Sequence, residues 1–250
     1  LIIFTANFIA SNKKNINNIK TIFSEYIIYV LITLTLILYQ PDLSSSFIIF
    51  SILISMLIIG GLKINYFIYM ILTSISALIL SIMFYPYMRS RFLNWFSNTT
   101  LDPSSQVERA KQALHNGGFF GNGFSESIIK EGFIAEGHTD FILPIIGEEI
   151  GFIGIVILFI LFFSFYFISV KVSKMAPDIF SSMVAIGIGF NILYYFLINA
   201  AYVVGLIPPT GLAIPFISYG GSHTLFTLIS VGVLLNISKY CNVYKYNYLR

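Results

Sequence analysis

The sequence predicts an all-α fold: a polytopic bundle of membrane-spanning helices, about six complete and one partial, with a large extracytoplasmic loop. Three observations lead there. Of 250 residues, 57% are apolar and 10% charged, and the mean hydropathy is +0.85; a soluble domain carries roughly 25% charged residues to solvate its surface. The apolar residues form continuous runs instead of the ~10-residue alternation of barrel strands, and only helices and closed barrels satisfy their backbone inside lipid. Finally, the short connections between those runs alternate between basic and non-basic, as the positive-inside rule requires, a rule that long loops such as the fourth escape.

Residues 1–10 are apolar over about half the ~20 residues that a crossing needs, with no basic segment before them, so they read as part of a helix and the chain as a fragment entering partway through it. Spans are expected at about 22–39, 47–62, 64–87, 150–170, 180–206 and 224–237. The first connection holds Lys13, Lys14 and Lys20, the third Lys63, the fifth Lys171 and Lys174, and the tail Lys239, Lys245 and Arg250. The second holds only Asp42, and the sixth has no charge. Odd connections and the tail are therefore expected on the cytoplasmic side. Residues 1–250 are taken as a single membrane domain in which 87–149 forms the extracytoplasmic loop. The single Cys excludes a disulfide framework or a cysteine-built metal site, and a scattered net charge of +3 gives no nucleic-acid footprint.

The loop carries the polarity of the chain: from Arg89 to Glu149 it holds 5 of the 14 basic and 8 of the 11 acidic residues. A connection of this length is functional or disordered, and the interspersed Phe119, Phe120, Phe124, Ile128, Ile129 and Phe133 argue against disorder. Residues 107–116 suit a helix, ended by Gly117-Gly118-Phe119-Phe120-Gly121-Asn122-Gly123. That run reads either as a turn cluster or as a substrate contact; with no Gly-Lys-Ser/Thr following it, it is not a phosphate-binding loop. Asp140, in His138-Thr139-Asp140-Phe141 ahead of Pro144, reads as a helix start or as a general base, since partial desolvation at a membrane boundary raises a carboxylate's pKa toward the useful range. Glu148 and Glu149 are expected near the N-terminus of the next helix. Arg91, Arg109 and Lys130 could hold a phosphorylated headgroup on the outer face or merely be solvated. Nothing shows metal-ligand spacing. Residues 205–222 contain Pro208, Pro209 and Pro215 among glycines in an uncharged stretch, which predicts a non-helical, re-entrant or cavity-lining segment. Asn191 and Asn199 in the preceding span are expected to bond between helices.

Read in order, several words resemble those of the SEDS family of bacterial shape, elongation, division and sporulation proteins. They are Gln40-Pro41-Asp42-Leu43, the 117–123 run followed by Lys130, Glu136-Gly137-His138-Thr139-Asp140-Phe141-Ile142, Gly147-Glu148-Glu149-Ile150-Gly151-Phe152, 205–211, and Pro215-Phe216-Ile217-Ser218-Tyr219-Gly220-Gly221-Ser222. Gln106-Val107-Glu108-Arg109-Ala110 and the double proline tilt the likeness toward the division (FtsW) branch over the elongation (RodA) branch. The resemblance implies a ten-helix glycosyltransferase of the bacterial cytoplasmic membrane, of which this chain would supply helices four to ten. Such an enzyme polymerises lipid II, an undecaprenyl-pyrophosphate-linked disaccharide peptide, into β-1,4 glycan strands on the outer face for septal wall synthesis. Asp140 corresponds to the family's essential aspartate. By the same resemblance, the substrate-binding set is Lys130, Arg91, Arg109, Gln106, His138, Thr139, Glu148, Glu149, Pro209, Ser218 and Tyr219. The only cofactor it suggests is a divalent cation helping to balance the pyrophosphate. Its implied partners are a class B penicillin-binding protein transpeptidase, other divisome membrane proteins and membrane lipids. Two alternatives stand beside this reading: a flippase for the lipid-linked precursor, which would want charges at mid-membrane, and a non-catalytic scaffold.

Overall fold

The computed structural model describes residues 1–18, 25–40, 42–63, 83–96, 106–124, 139–208 and 210–247, with a few positions between 65 and 79. Every regular element among them is a helix: α1 Ile2–Asn12, α2 Glu25–Tyr39, α3 Leu43–Ile59, α4 Pro86–Phe96, α5 Gln106–Gly117, α6 Ile142–Met175, α7 Ile179–Val203 and α8 Gly221–Asn247. Three helices, α6, α7 and α8 from Gly221 to Cys241, are long and apolar enough to cross a membrane by length and composition, and α1, α2 and α3 are shorter apolar helices. The span expected at 64–87 falls largely outside the described residues.

The helix ends differ from hydropathy in instructive ways. α3 begins at Leu43, ahead of the expected 47, because Asp42 caps it: its carboxylate accepts the Ser45 N–H at 2.9 Å. A capped first turn tolerates Ser44, Ser45 and Ser46, which no apolar window would include. α6 runs over 34 residues and is broken at Gly151, whose φ of 79° and ψ of −171° are not helical. The segment beyond that break is the span expected at 150–170; the segment before it, 142–150, is an additional short helix.

The chain divides into two compact units. One comprises Leu1–Thr73, Ser164–Tyr194 and Leu225–Arg250. Within it, α1 and α2 both pack on α3. Tyr26 of α2 stacks on Phe8 of α1 at 4.2 Å and shares a hydrogen bond with Thr5 at 3.1 Å. α7 lies close because Gly187 has no side chain: a Cβ there would stand 2.6 Å from Ile2 and 2.8 Å from Met56. Ser55 of α3 and Tyr194 of α7 share a 2.7 Å bond between hydroxyls. A cavity of about 330 Å³ is lined by Lys13, Gly60, Lys174 and Asp178 among others. Thus the first and fifth connections and the C-terminal end of α3, which leads into the third, meet at one place.

The other unit comprises Ser74–Phe163 and Tyr195–Thr224. Its core is aromatic: Phe162 stacks on Phe196 at 4.1 Å, Phe159 meets the same ring edge-on at 4.8 Å, and Phe141 meets Tyr202 edge-on at 5.3 Å. α7 is 61% buried over its most apolar stretch, against 17% in α6. A span that exposes most of its apolar surface is suited to contact with lipid, whereas α7 is suited to hold groups that must not move.

Candidate functional site

The second unit contains the site. α5 is amphipathic, and its small residues Ala110, Ala113 and Gly117 form one buried stripe. That stripe allows the first segment of α6 to approach until backbone touches backbone. A Cβ on Gly117 would stand 1.9 Å from the Gly147 carbonyl, and one on Gly147 would stand 2.4 Å from Leu114. The glycine run that ends α5 then pairs with the break in α6. Asn122 donates its N–H to the Glu148 carbonyl at 2.9 Å and Gly123 donates to the Glu149 carbonyl at 3.1 Å. In return Phe152 donates to the Gly118 carbonyl at 2.9 Å and Ile153 to the Phe119 carbonyl at 3.3 Å. The carbonyls and amides that Gly151 releases from the α6 ladder are thus satisfied by the loop, which buried backbone requires. Gly118, Gly121 and Gly123 all take positive φ, as their residue type allows.

Asp140 sits half-buried in the turn just before α6. Its main-chain carbonyl accepts a hydrogen bond from Asn199 Nδ2 at 2.9 Å and another from the Tyr202 hydroxyl. The same Asn199 amide donates to the Leu212 carbonyl at 2.6 Å. Asn199 and Tyr202 are completely buried. The Asp140 carboxylate faces the 205–222 segment: a Cβ on Gly211, where φ is +71°, would stand 3.3 Å from Oδ2. Trp95 of α4 donates its indole N–H to the Gly205 carbonyl at 3.0 Å, securing the start of that segment.

Residues 204–220 are irregular at every described position, as the prolines and glycines predict, and Leu212 and Ile214 are nonetheless buried. Proline and glycine account for the lack of helix; the missing backbone bonds are replaced by side chains. Ser218 is one such replacement, its Oγ accepting the Ile214 N–H at 2.7 Å.

The residues singled out by sequence fall into groups. Asp140 is joined to the Pro/Gly segment through Gly211, Leu212, Asn199 and Tyr202, and Thr139 is half-buried beside it. Glu148, completely buried, and Glu149 belong to the seam between α6 and the glycine run. They are not in the first turn of their helix, which starts at Ile142 and has no acid in its first turn. They end the short first segment of α6, directly ahead of the break at Gly151 beyond which the crossing segment runs. Arg109 lies half-buried on α5. Arg91 and Gln106 have their backbones in α4 and α5, with side chains outside the described set; Lys130, His138 and Pro209 lie outside it altogether. Ser218 is engaged within its own turn, and Tyr219 is 80% exposed. Among the described residues, no three His, Cys, Asp or Glu side chains converge into a set that would hold a metal ion. Asn199 was expected to bond between helices; it binds two backbone carbonyls of irregular segments instead. Tyr202 was not singled out. The signal for both was present, an Asn and a Tyr three residues apart, hence on one face of an apolar helix.

A family model described as cell cycle protein, covering FtsW, RodA and SpoVE, matches residues 1–243. The stage V sporulation protein E of Bacillus subtilis is 34% identical over 96% of this chain and 66% of its own length. A probable peptidoglycan glycosyltransferase FtsW from Trichlorobacter lovleyi is 34% identical over 95% of this chain and 63% of its own. The chain therefore spans about two thirds of the length of these curated relatives. Among solved structures, a peptidoglycan synthase complex that coordinates polymerization and crosslinking has a chain that superposes with a TM-score of 0.70 at 21% identity, covering 94% of this chain and 68% of that one. A variant of the rod shape determining protein RodA of Thermus thermophilus superposes with a TM-score of 0.63 at 18% identity, covering 94% and 64% respectively.

Proposed function

Because this chain belongs to the family of FtsW, RodA and SpoVE, we propose that it is part of a peptidoglycan glycosyltransferase that polymerises lipid II for the septal wall. The observation that carries this reading is the setting of Asp140. A carboxylate is held by its own backbone at the start of a membrane-crossing helix and faces an irregular apolar segment. Membrane-embedded irregular backbone of this kind lines cavities, and a lipid-tethered sugar needs such a cavity beside a base.

In this mechanism the 4-hydroxyl of the acceptor GlcNAc attacks the donor MurNAc C1 as Asp140 takes its proton. The C1–O bond to undecaprenyl pyrophosphate breaks with inversion, forming a β-1,4 linkage, and the leaving group carries away the electron pair. Arg109, Arg91 and Lys130 are the cationic candidates for the pyrophosphate. The 87–149 loop works on the outer face of the cytoplasmic membrane, beside a class B penicillin-binding protein that crosslinks the product. Support for this partnership comes from the synthase complex, whose chain has the same fold.

A general base contributes roughly 10²–10⁴-fold in rate. Asp140→Asn in the full-length protein, assayed in nanodiscs with labelled lipid II, should lose polymerisation by that factor while still inserting and extracting normally. Glycan strands made at a near-normal rate would remove Asp140 from the chemistry.

A further inference from the structure

A buried amide in α7 does something that helix packing does not require. Asn199 lies in the last turns of the most buried span, completely out of solvent. A polar group there is costly unless it is bonded. Its Nδ2 donates to Asp140 O at 2.9 Å and to Leu212 O at 2.6 Å, and lies 3.2 Å from the Tyr202 hydroxyl. Tyr202, on the same helix face, donates to the same Asp140 carbonyl and rests its ring against Phe141. The Asp140 carbonyl carbon is bonded to the Cα that bears its side chain, so fixing the carbonyl restricts where the carboxylate can go. On the facing segment, Leu212 directly follows Gly211, where a Cβ would stand 3.3 Å from Oδ2. One amide therefore binds both sides of the place where the carboxylate sits. Asn199 holds this position although its Oδ1 has no hydrogen-bond partner among the described residues.

We infer that Asn199 and Tyr202 are positioning residues: together they fix the separation and orientation of the Asp140 carboxylate relative to the 205–222 segment, and thereby set the turnover rate. This inference rests on Asp140 being the base. Misplacement of a reacting group by about 1 Å costs up to ~10²-fold. In the full-length protein in nanodiscs, Tyr202→Phe and Asn199→Leu should each lower kcat for lipid II polymerisation roughly 10–100-fold, with KM within about twofold of wild type. Tyr202→Phe keeps the ring and its contact with Phe141, so it reports on the hydroxyl even if Asn199→Leu fails to fold. The decisive comparison combines each substitution with Asp140→Asn. Residues that act only through that carboxylate add nothing once it is gone, so each double variant should match Asp140→Asn alone. Full additivity, or a wild-type kcat in Tyr202→Phe, would overturn the positioning role while leaving Asp140 as base. Normal polymerisation by Asp140→Asn would instead overturn the base, and the positioning role with it.

Discussion

Gly211 is the residue against which the Asp140 carboxylate can be gauged. Its φ of +71° disfavours any L side chain by about 1–2 kcal/mol, and a Cβ would stand 3.3 Å from Oδ2, closer than most such contacts. Gly211→Ala should therefore act on chemistry more than on folding. We expect polymerisation to fall about tenfold or more, by the same sensitivity to misplacement, in protein that still elutes as a single species. Unchanged activity would mean that the carboxylate does not work from this position. Ser218 makes the opposite case. Its Oγ accepts a buried N–H at 2.7 Å, and leaving that donor unpaired costs about 1–3 kcal/mol. Ser218→Ala should lower thermal stability in a melting assay by that order and leave lipid II binding unchanged at permissive temperature. Weakened binding without loss of stability would restore Ser218 to the substrate-contact role that the resemblance implied.

At the scale of elements, the seam between α5 and α6 separates two glycines adjacent in sequence. At Gly117 a Cβ would stand 1.9 Å from a backbone carbonyl, whereas at Gly118 nothing lies within 4 Å and only the φ of +51° resists substitution. Gly117→Ala should abolish recovery of folded protein from membranes; Gly118→Ala should cost about 1–2 kcal/mol, the left-handed penalty for an L residue. Fluorescence-detected size exclusion of the two variants measures the difference, and equal recovery would refute the close packing. From sequence alone, the two readings of this run, turn cluster and substrate contact, could not be separated. The partner that decides its structural part, Glu148–Ile153, is 25 or more residues away, and no periodicity reports a pairing between a loop and a broken helix. The break itself was invisible for a related reason: Gly151 in an apolar run looks like any tolerated glycine, and only its φ and ψ reveal a kink. By contrast, the apolar runs that became α2 and α7 were legible within a few residues, because burial in lipid needs continuous apolar surface and little else; α8, expected to end at 237, runs on to Asn247. Asp140 was legible through its motif; the two α7 side chains that hold it were not, because a buried Asn in a span predicts only that some carbonyl is near.

For the molecule as a whole, the alternation of basic connections makes a directional prediction. Lys13 and Lys174, from the first and fifth connections, line one cavity. The positive-inside rule predicts that these connections face the cytoplasm and the 87–149 loop the outside. In a Cys241→Ser background, Asn122→Cys should react with a membrane-impermeant maleimide on intact cells, and Lys14→Cys only after permeabilisation. The reverse pattern would put Asp140 on the wrong side for an externally exposed lipid-linked sugar and end the proposed chemistry.

Gly151 has one more consequence, which concerns handedness. Its φ of 79° and ψ of −171° lie in a region that only glycine occupies readily, and inverting both signs gives an ordinary extended residue. The chain is, at this position, the mirror image of a strand. No genetically encoded chiral residue can occupy it at ease, whatever its size or polarity; a D-alanine would suit the backbone where L-alanine, its Cβ driven to 2.4 Å from the Gly121 nitrogen, would not.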